Sequence, residues 1–141
     1  MILLLLIIIC IALIVTTSEP GEFKRVKEKY EILRRHIEES EHPKFHMLAH
    51  CIPITGFKRM RDTVGYNTNK GAEIVLCLDG EENEIFHVLI HELAHCTVDE
   101  YSHSDEYWNN YTELRDICVS LGIYEKIPEK TKFCGQHVQD K

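Results

Sequence analysis

The sequence predicts an α+β domain: a small mixed or antiparallel sheet packed on a central helix, with flanking helices and an apolar helix in front. Three observations predict it. Phe23, Val26, Tyr30, Leu33 and Ile37 recur at spacings of three and four, the period of a helix that buries one face. Ala72–Leu78, AEIVLCL, is a short and almost unbroken apolar run, the texture of a buried strand. Residues 85–94 then give a second helical pattern, apolar over most of its circumference.

In chain order, residues 2–15 are apolar without exception, and Thr16, Thr17 and Ser18 extend the run weakly. Such a run lies at the short end of the ~17–25 residues of a membrane span and also matches a signal-peptide core. No Lys or Arg precedes it, and Thr16-Thr17-Ser18 is a poor small-x-small cleavage site. Residues 1–18 are therefore expected to be a transmembrane anchor, in contact with a membrane through residues 2–17, and residues 19–141 the folded domain. Lys24, Arg25, Lys27 and Lys29 all follow the run, so the positive-inside rule puts a single-pass chain's domain on the cytoplasmic side.

The first amphipathic helix should run from Glu22 to about Ser40 and end at His42-Pro43. Pro53, Gly56, Gly65 and Gly71 then divide the chain into short pieces. Strands are expected near Cys51–Phe57 and Thr63–Tyr66 as well as at Ala72–Leu78, with a turn at Asn67–Gly71. Asp79 and Glu82 fit a capping box that starts the central helix. A last helix over Ser104–Leu121 closes at Gly122. The tail from Pro128 to Lys141 has no clear period.

Composition narrows the function classes. The net charge of −7 lies wholly outside the apolar run and argues against nucleic acid as a partner. The roughly 120 residues beyond that run suffice for one core. Five of the six cysteines fall in the domain: Cys51, Cys77, Cys96, Cys118 and Cys134. An odd number without a CxxC pair does not read as a disulfide framework or a cysteine zinc ribbon, so most are expected as buried thiols.

Chemistry concentrates in His91-Glu92-Leu93-Ala94-His95, an HExxH motif on the central helix. Residues four apart project from one helix face, so the two imidazoles can converge on one ion, Zn2+ being the expected cofactor. Glu92 stands slightly aside, placed as a general base that takes the proton of a water acidified by the metal. A buried helix with two unpaired histidines and a glutamate on one surface is costly unless something satisfies them. The third metal ligand is open on spacing alone: His103 follows in a polar stretch, Glu113 lies one helix further on, and Asp99, Glu100 and Asp105 are within reach. His87, one turn before His91, reads as an exposed or capped residue, with a role orienting a ligand as the alternative. His42, His46 and His50 also repeat at fours, but Pro43 and the broken context argue against a second metal site. Tyr101, Tyr107 and Tyr111 are candidate oxyanion stabilisers by chemistry alone.

HELAHC…HSDEYW resembles the WLM and SprT-like zinc metallopeptidases, in which HExxH is followed by a short loop, a further histidine and an aromatic residue. The resemblance implies His91, His95 and His103 as zinc ligands, Glu92 as catalytic base, and Tyr107-Trp108 as the aromatic pair beneath the site. It favours His103 over Glu113. One departure stands: seven residues separate His95 from His103, where WLM members typically have five, often with a glycine that is absent here. The resemblance further implies a zincin-like fold in which the strand before the central helix, here Glu73–Leu78, is an edge that takes up a protein or peptide substrate as an added strand. Members of such families also occur in large DNA viruses, which adds a viral or virion membrane to those the anchor suits. The expected function is thus a membrane-anchored zinc metallopeptidase, an endopeptidase. Its rival is a membrane-tethered protein that keeps zinc for stability and acts by packing against partners; Glu92 argues against it, since a closed structural site needs no base.

Overall fold

In the computed structural model, which describes residues 1–141, the elements in order are α1 (Ile2–Thr17), α2 (Gly21–Glu39), β1 (Ile54–Phe57), β2 (Gly65–Thr68), β3 (Glu73–Cys77), α3 (Glu82–His95), α4 (Asp105–Ser120), β4 (Thr131–Phe133) and β5 (Gln136–Val138). The five residues whose period predicts α2 are the five it buries, against α3. The Tyr30 hydroxyl accepts from the Ile52 amide at 3.0 Å, which fixes α2 to the chain entering β1.

The sheet is mixed, with strand order β1-β3-β2. β1 runs parallel to β3, pairing Ile54 with Ile74, and β2 runs antiparallel to it, pairing Gly65 with Leu76. The segment before α3 is thus the central strand, not the edge expected of it. The reason lies in its sequence: Ile74, Val75, Leu76 and Cys77 are all buried, and a strand covered on both faces belongs in the middle. The edge facing the central helix is β2.

α3 also starts differently from expectation. Glu81 occupies the N-cap position without a side-chain cap bond, and neither Asp79 nor Glu82 caps the helix. Glu82 instead pairs with Arg25 and Lys29 of α2, both at 3.2 Å. Asp79 turns its carbonyl to the Cys134 amide at 3.3 Å. Between them Gly80 lies so close to the Phe133 ring that a Cβ there would come within 2.2 Å of it.

These contacts exist because the tail folds. β4 and β5 form an antiparallel hairpin whose two-residue turn, Cys134-Gly135, has positive φ at both positions (50° and 72°), the twist a tight hairpin prefers. Cys134 is disulfide-bonded to Cys77 at the end of β3. This corrects the reading of the cysteines: only Cys118 is a buried thiol, Cys96 is half-buried, and Cys51 and Cys10 are exposed.

α1 buries none of its residues and meets α2 at a bend of 53°. Its 16 residues rise about 24 Å, against ~30 Å of bilayer hydrocarbon. No single helix in the chain is long and apolar enough to cross a membrane.

Candidate metal centre

α3 is held by apolar burial on most of its surface: Ile85, Phe86, Leu89, Ile90, Leu93 and Ala94 are fully buried. That leaves one half-open stripe, on which His91 and His95 sit one turn apart. The chain then loops through residues 96–104. Thr97 Oγ1 turns back to the Ala94 carbonyl at 2.6 Å and accepts from Asn110 Nδ2 at 2.9 Å. The Lys70 ammonium, at the β2–β3 turn, donates to the carbonyls of Val98 and Glu100. Ser104 caps α4 by accepting from the Tyr107 amide.

This pinned loop carries His103 back over the helix. Its Nε2 lies 3.1 Å from His91 Nε2 and 3.1 Å from His95 Nε2. Zinc–nitrogen bonds of ~2.0–2.1 Å in a tetrahedron place ligand nitrogens about 3.3 Å apart, so the three imidazoles have the spacing of a shared cation. Burial, with the neighbouring histidines adding to it, brings the His91 imidazole down to about 3. Burial and the His103 ring bring His95 to about 4. Both are neutral at physiological pH and keep lone pairs for a metal. The Tyr107 ring lies beneath, 4.5 Å from His95 and 4.8 Å from His103 between centroids, and its hydroxyl donates to the His91 carbonyl. Trp108 flanks His103 at 5.5 Å.

Glu92 is 7% exposed, and burial pushes its carboxyl up to about 7. Asn67 of β2 donates to the Glu92 carbonyl at 3.0 Å, tying the edge strand to the motif helix. Two cavities meet at Gly65 and Glu92. One, of about 190 Å³, is bounded by Tyr66, Lys70, His95 and Tyr101. The other, of about 300 Å³, lies between β2, α3, Trp108 and the end of the chain.

The rival ligands are elsewhere. Glu113 pairs with Lys44 at 2.5 Å and lies 3.7 Å from His42. Asp99, Glu100 and Asp105 do not join the histidine cluster. His42 closes a turn by accepting from the amides of Lys44 and Phe45, and no second cluster of metal-ligating groups forms around it. Of the three tyrosines, Tyr107 and Tyr111 have their hydroxyls committed to the His91 carbonyl and to Asp140, leaving Tyr101, exposed at the rim, free.

His87 is not exposed, as its position in the sequence suggests, but 7% accessible within a polar network. Its Nδ1 lies 2.9 Å from the Tyr124 hydroxyl and 3.3 Å from that of Tyr111. Both hydroxyls donate to Asp140, which also accepts from the Ile127 amide at 2.7 Å. Burial alone would raise the Asp140 carboxyl, but hydrogen bonds from His87, Tyr111, Tyr124 and Ile127 outweigh it and hold the group well below the usual carboxylate range. Sequence reading missed Asp140 entirely. Its only signal is a lone acid at the end of an aperiodic tail.

Comparison with known proteins agrees with this architecture. The WLM domain profile matches residues 36–141. The uncharacterised protein R325 of Acanthamoeba polyphaga mimivirus is 30% identical over 80 residues, covering 50% of this chain and 41% of that protein. The chain thus spans about two fifths of the length of the curated relative it matches. Among solved structures, Wss1 from Saccharomyces cerevisiae superposes with a TM-score of 0.54 at 20% identity, over 75% of this chain and 85% of that one, a likeness of fold. The metallopeptidase zymogen of Pyrococcus abyssi abylysin matches with a TM-score of 0.43 at 23% identity, over 67% and 97% of the two chains. With its matched segment covering most of its length, the chain belongs to the WLM domain family.

Proposed function

We propose that the chain is a zinc-dependent metallopeptidase, an endopeptidase that α1 attaches to a membrane. The observation that carries this reading is the meeting of three imidazole Nε2 atoms beside a buried carboxylate, next to cavities lined by the edge strand β2. His91, His95 and His103 would hold the metal. Bound there, zinc supplies Lewis-acid polarisation of the scissile carbonyl and lowers the pKa of a water towards ~7.

The remaining work falls to the chain's own groups. The outer edge of β2, where the Thr63 hydroxyl holds the Gly65 amide and carbonyl and would have to give way, takes an extended peptide by main-chain hydrogen bonds, so that its scissile bond crosses Glu92 between the two cavities. Glu92 accepts a proton from the attacking water and returns it to the departing amine. Its raised affinity for a proton suits both halves of that exchange. Tyr101, at the rim with a free hydroxyl, is the group placed to donate to the developing oxyanion. Tyr107 supports the His91 turn from below.

The exposed apolar surface of α1 supports membrane attachment. The basic residues of α2 favour a cytoplasmic domain, whereas a persistent Cys77–Cys134 bond favours an oxidising side. Labelling the exposed Cys51 with an impermeant maleimide on sealed vesicles separates the two.

The test of the activity is hydrolysis of unfolded protein substrates by the zinc-loaded full chain in detergent micelles, beside Glu92→Gln. Loss of a general base lowers turnover by ~10²–10⁴-fold, and the variant should keep its zinc. Equal turnover with and without the carboxylate would refute the mechanism. Zinc retention with no hydrolysis by either protein would favour a structural metal.

A further inference from the structure

The larger of the two cavities beside Glu92 has a polar floor that the hydrolytic chemistry does not use. His87 lines it, is more than nine-tenths buried, and has no protein partner for its Nε2. The state of that nitrogen follows from counting protons. The hydroxyls of Tyr111 and Tyr124 carry one hydrogen each, and both are spent on Asp140. Towards His87 they offer only lone pairs, so Nδ1 carries the imidazole hydrogen. In the neutral ring Nε2 is then an acceptor, facing the cavity without a hydrogen-bond partner.

The walls suit a side chain with an apolar stem. Val64, Val88 and Trp108 line them, with Gln139 near the chain end. Its volume of about 300 Å³ is at the bottom of the ~300–1,000 Å³ range of small-ligand clefts, room for one side chain rather than a whole ligand. Gly65 and Glu92 border both this cavity and its neighbour, so a peptide laid along β2 past Glu92 has one side chain directed into it.

We propose that this cavity is a specificity pocket for a substrate side chain ending in a neutral hydrogen-bond donor, glutamine foremost, whose amide donates to His87 Nε2. The proposal rests on the peptidase reading for its peptide ligand. It makes His87 a specificity determinant, with Asp140, Tyr111 and Tyr124 as positioning residues that fix its tautomer.

Trp108 is the only tryptophan in the chain and lines the pocket, so its emission reports occupancy. The experiment titrates the zinc-loaded full chain in detergent micelles, carrying Glu92→Gln to prevent turnover, with four blocked peptides, acetyl-Ala-Xaa-Ala-amide, where Xaa is Gln, Met, Glu or Lys. One added neutral hydrogen bond predicts that Gln binds about tenfold more tightly than the similarly shaped Met. His87→Phe should bring the two to parity. Equal binding of Gln and Met, tightest binding of Glu or Lys, or no emission change with any peptide at millimolar concentration would each overturn the proposal. The ranking of the four peptides decides the matter even if His87→Phe does not fold. Hydrolysis by the chain with Glu92 intact separates the two claims. Gln-selective binding with no cleavage supports the pocket and refutes the peptidase, whereas cleavage indifferent to Xaa supports the peptidase and overturns the pocket.

Discussion

Breaking the Cys77–Cys134 bond should remove a large share of the ~5–15 kcal/mol stability of a typical domain. The two cysteines are 57 residues apart. Closing a loop of that length removes roughly 14 cal/mol/K of entropy from the unfolded chain, or about 4 kcal/mol at 25 °C. Cys77→Ala with Cys134→Ala removes the cross-link without burying a new polar group where Cys77 is fully covered. With a urea dependence of ~1.5 kcal/mol/M, the unfolding midpoint should fall by roughly 2.5–3 M. Trp108 emission follows the transition in nonionic micelles, and a peptide map without reductant identifies the bonded pair. Amide exchange should quicken first in residues 131–141, because the bond holds the hairpin that leads the chain to Asp140. A midpoint shift below about 0.5 M, or alkylation of Cys77 and Cys134 themselves in the native chain without reductant, would refute this account of the tail.

Other perturbations have defined signs. The folded metal-free chain holds a proton on Glu92 up to about pH 7, whereas the unfolded chain has released it above ~4.3. Stability from this group is therefore present at low pH and lost as pH rises to about 7. Glu92→Gln should then stabilise the chelated protein by on the order of 3 kcal/mol at pH 8 and by much less at pH 5, read from urea midpoints. Asp140 has the opposite sign: its carboxyl is held low in the folded chain, so its contribution is full above ~4 and is lost progressively below that, as pH falls through the depressed folded range. Asp140→Asn should cost about 1–3 kcal/mol at neutral pH, with parent and variant converging in acid. Lys70→Met removes the donor that pins the His103 loop through the carbonyls of Val98 and Glu100. Zinc affinity, measured by chelator competition, should drop about tenfold with little change in stability.

What the sequence discloses here is what one-sided burial imprints. α2 and α3 are readable because each covers one face or most of one, and the HExxH pair because four residues are one helical turn. β3 is readable as a strand, but the resemblance puts it at the wrong place in the sheet. AEIVLCL already has the doubly apolar texture of a middle strand, and only the edge role suggested by resemblance obscures it. His103 is visible as a candidate. Its approach to His91 and His95 is not, because it depends on Lys70, Thr97 and Asn110 folding an aperiodic loop. The disulfide escapes a reading based on cysteine parity and local spacing, since its two ends meet only when the hairpin forms against Gly80. His87 is misread for a related reason. Its burial is stabilised by Asp140, whose position is invisible until the tail returns to the helix.

The central claim is that three histidines from one helix and one loop hold a catalytic metal. The most direct test is zinc per chain in the purified full-length protein, beside His103→Ala and Glu113→Ala. The account predicts one equivalent in the parent, retained in Glu113→Ala and lost or greatly weakened in His103→Ala. A folded parent that takes up no zinc, or a site abolished by Glu113→Ala and untouched by His103→Ala, would contradict it.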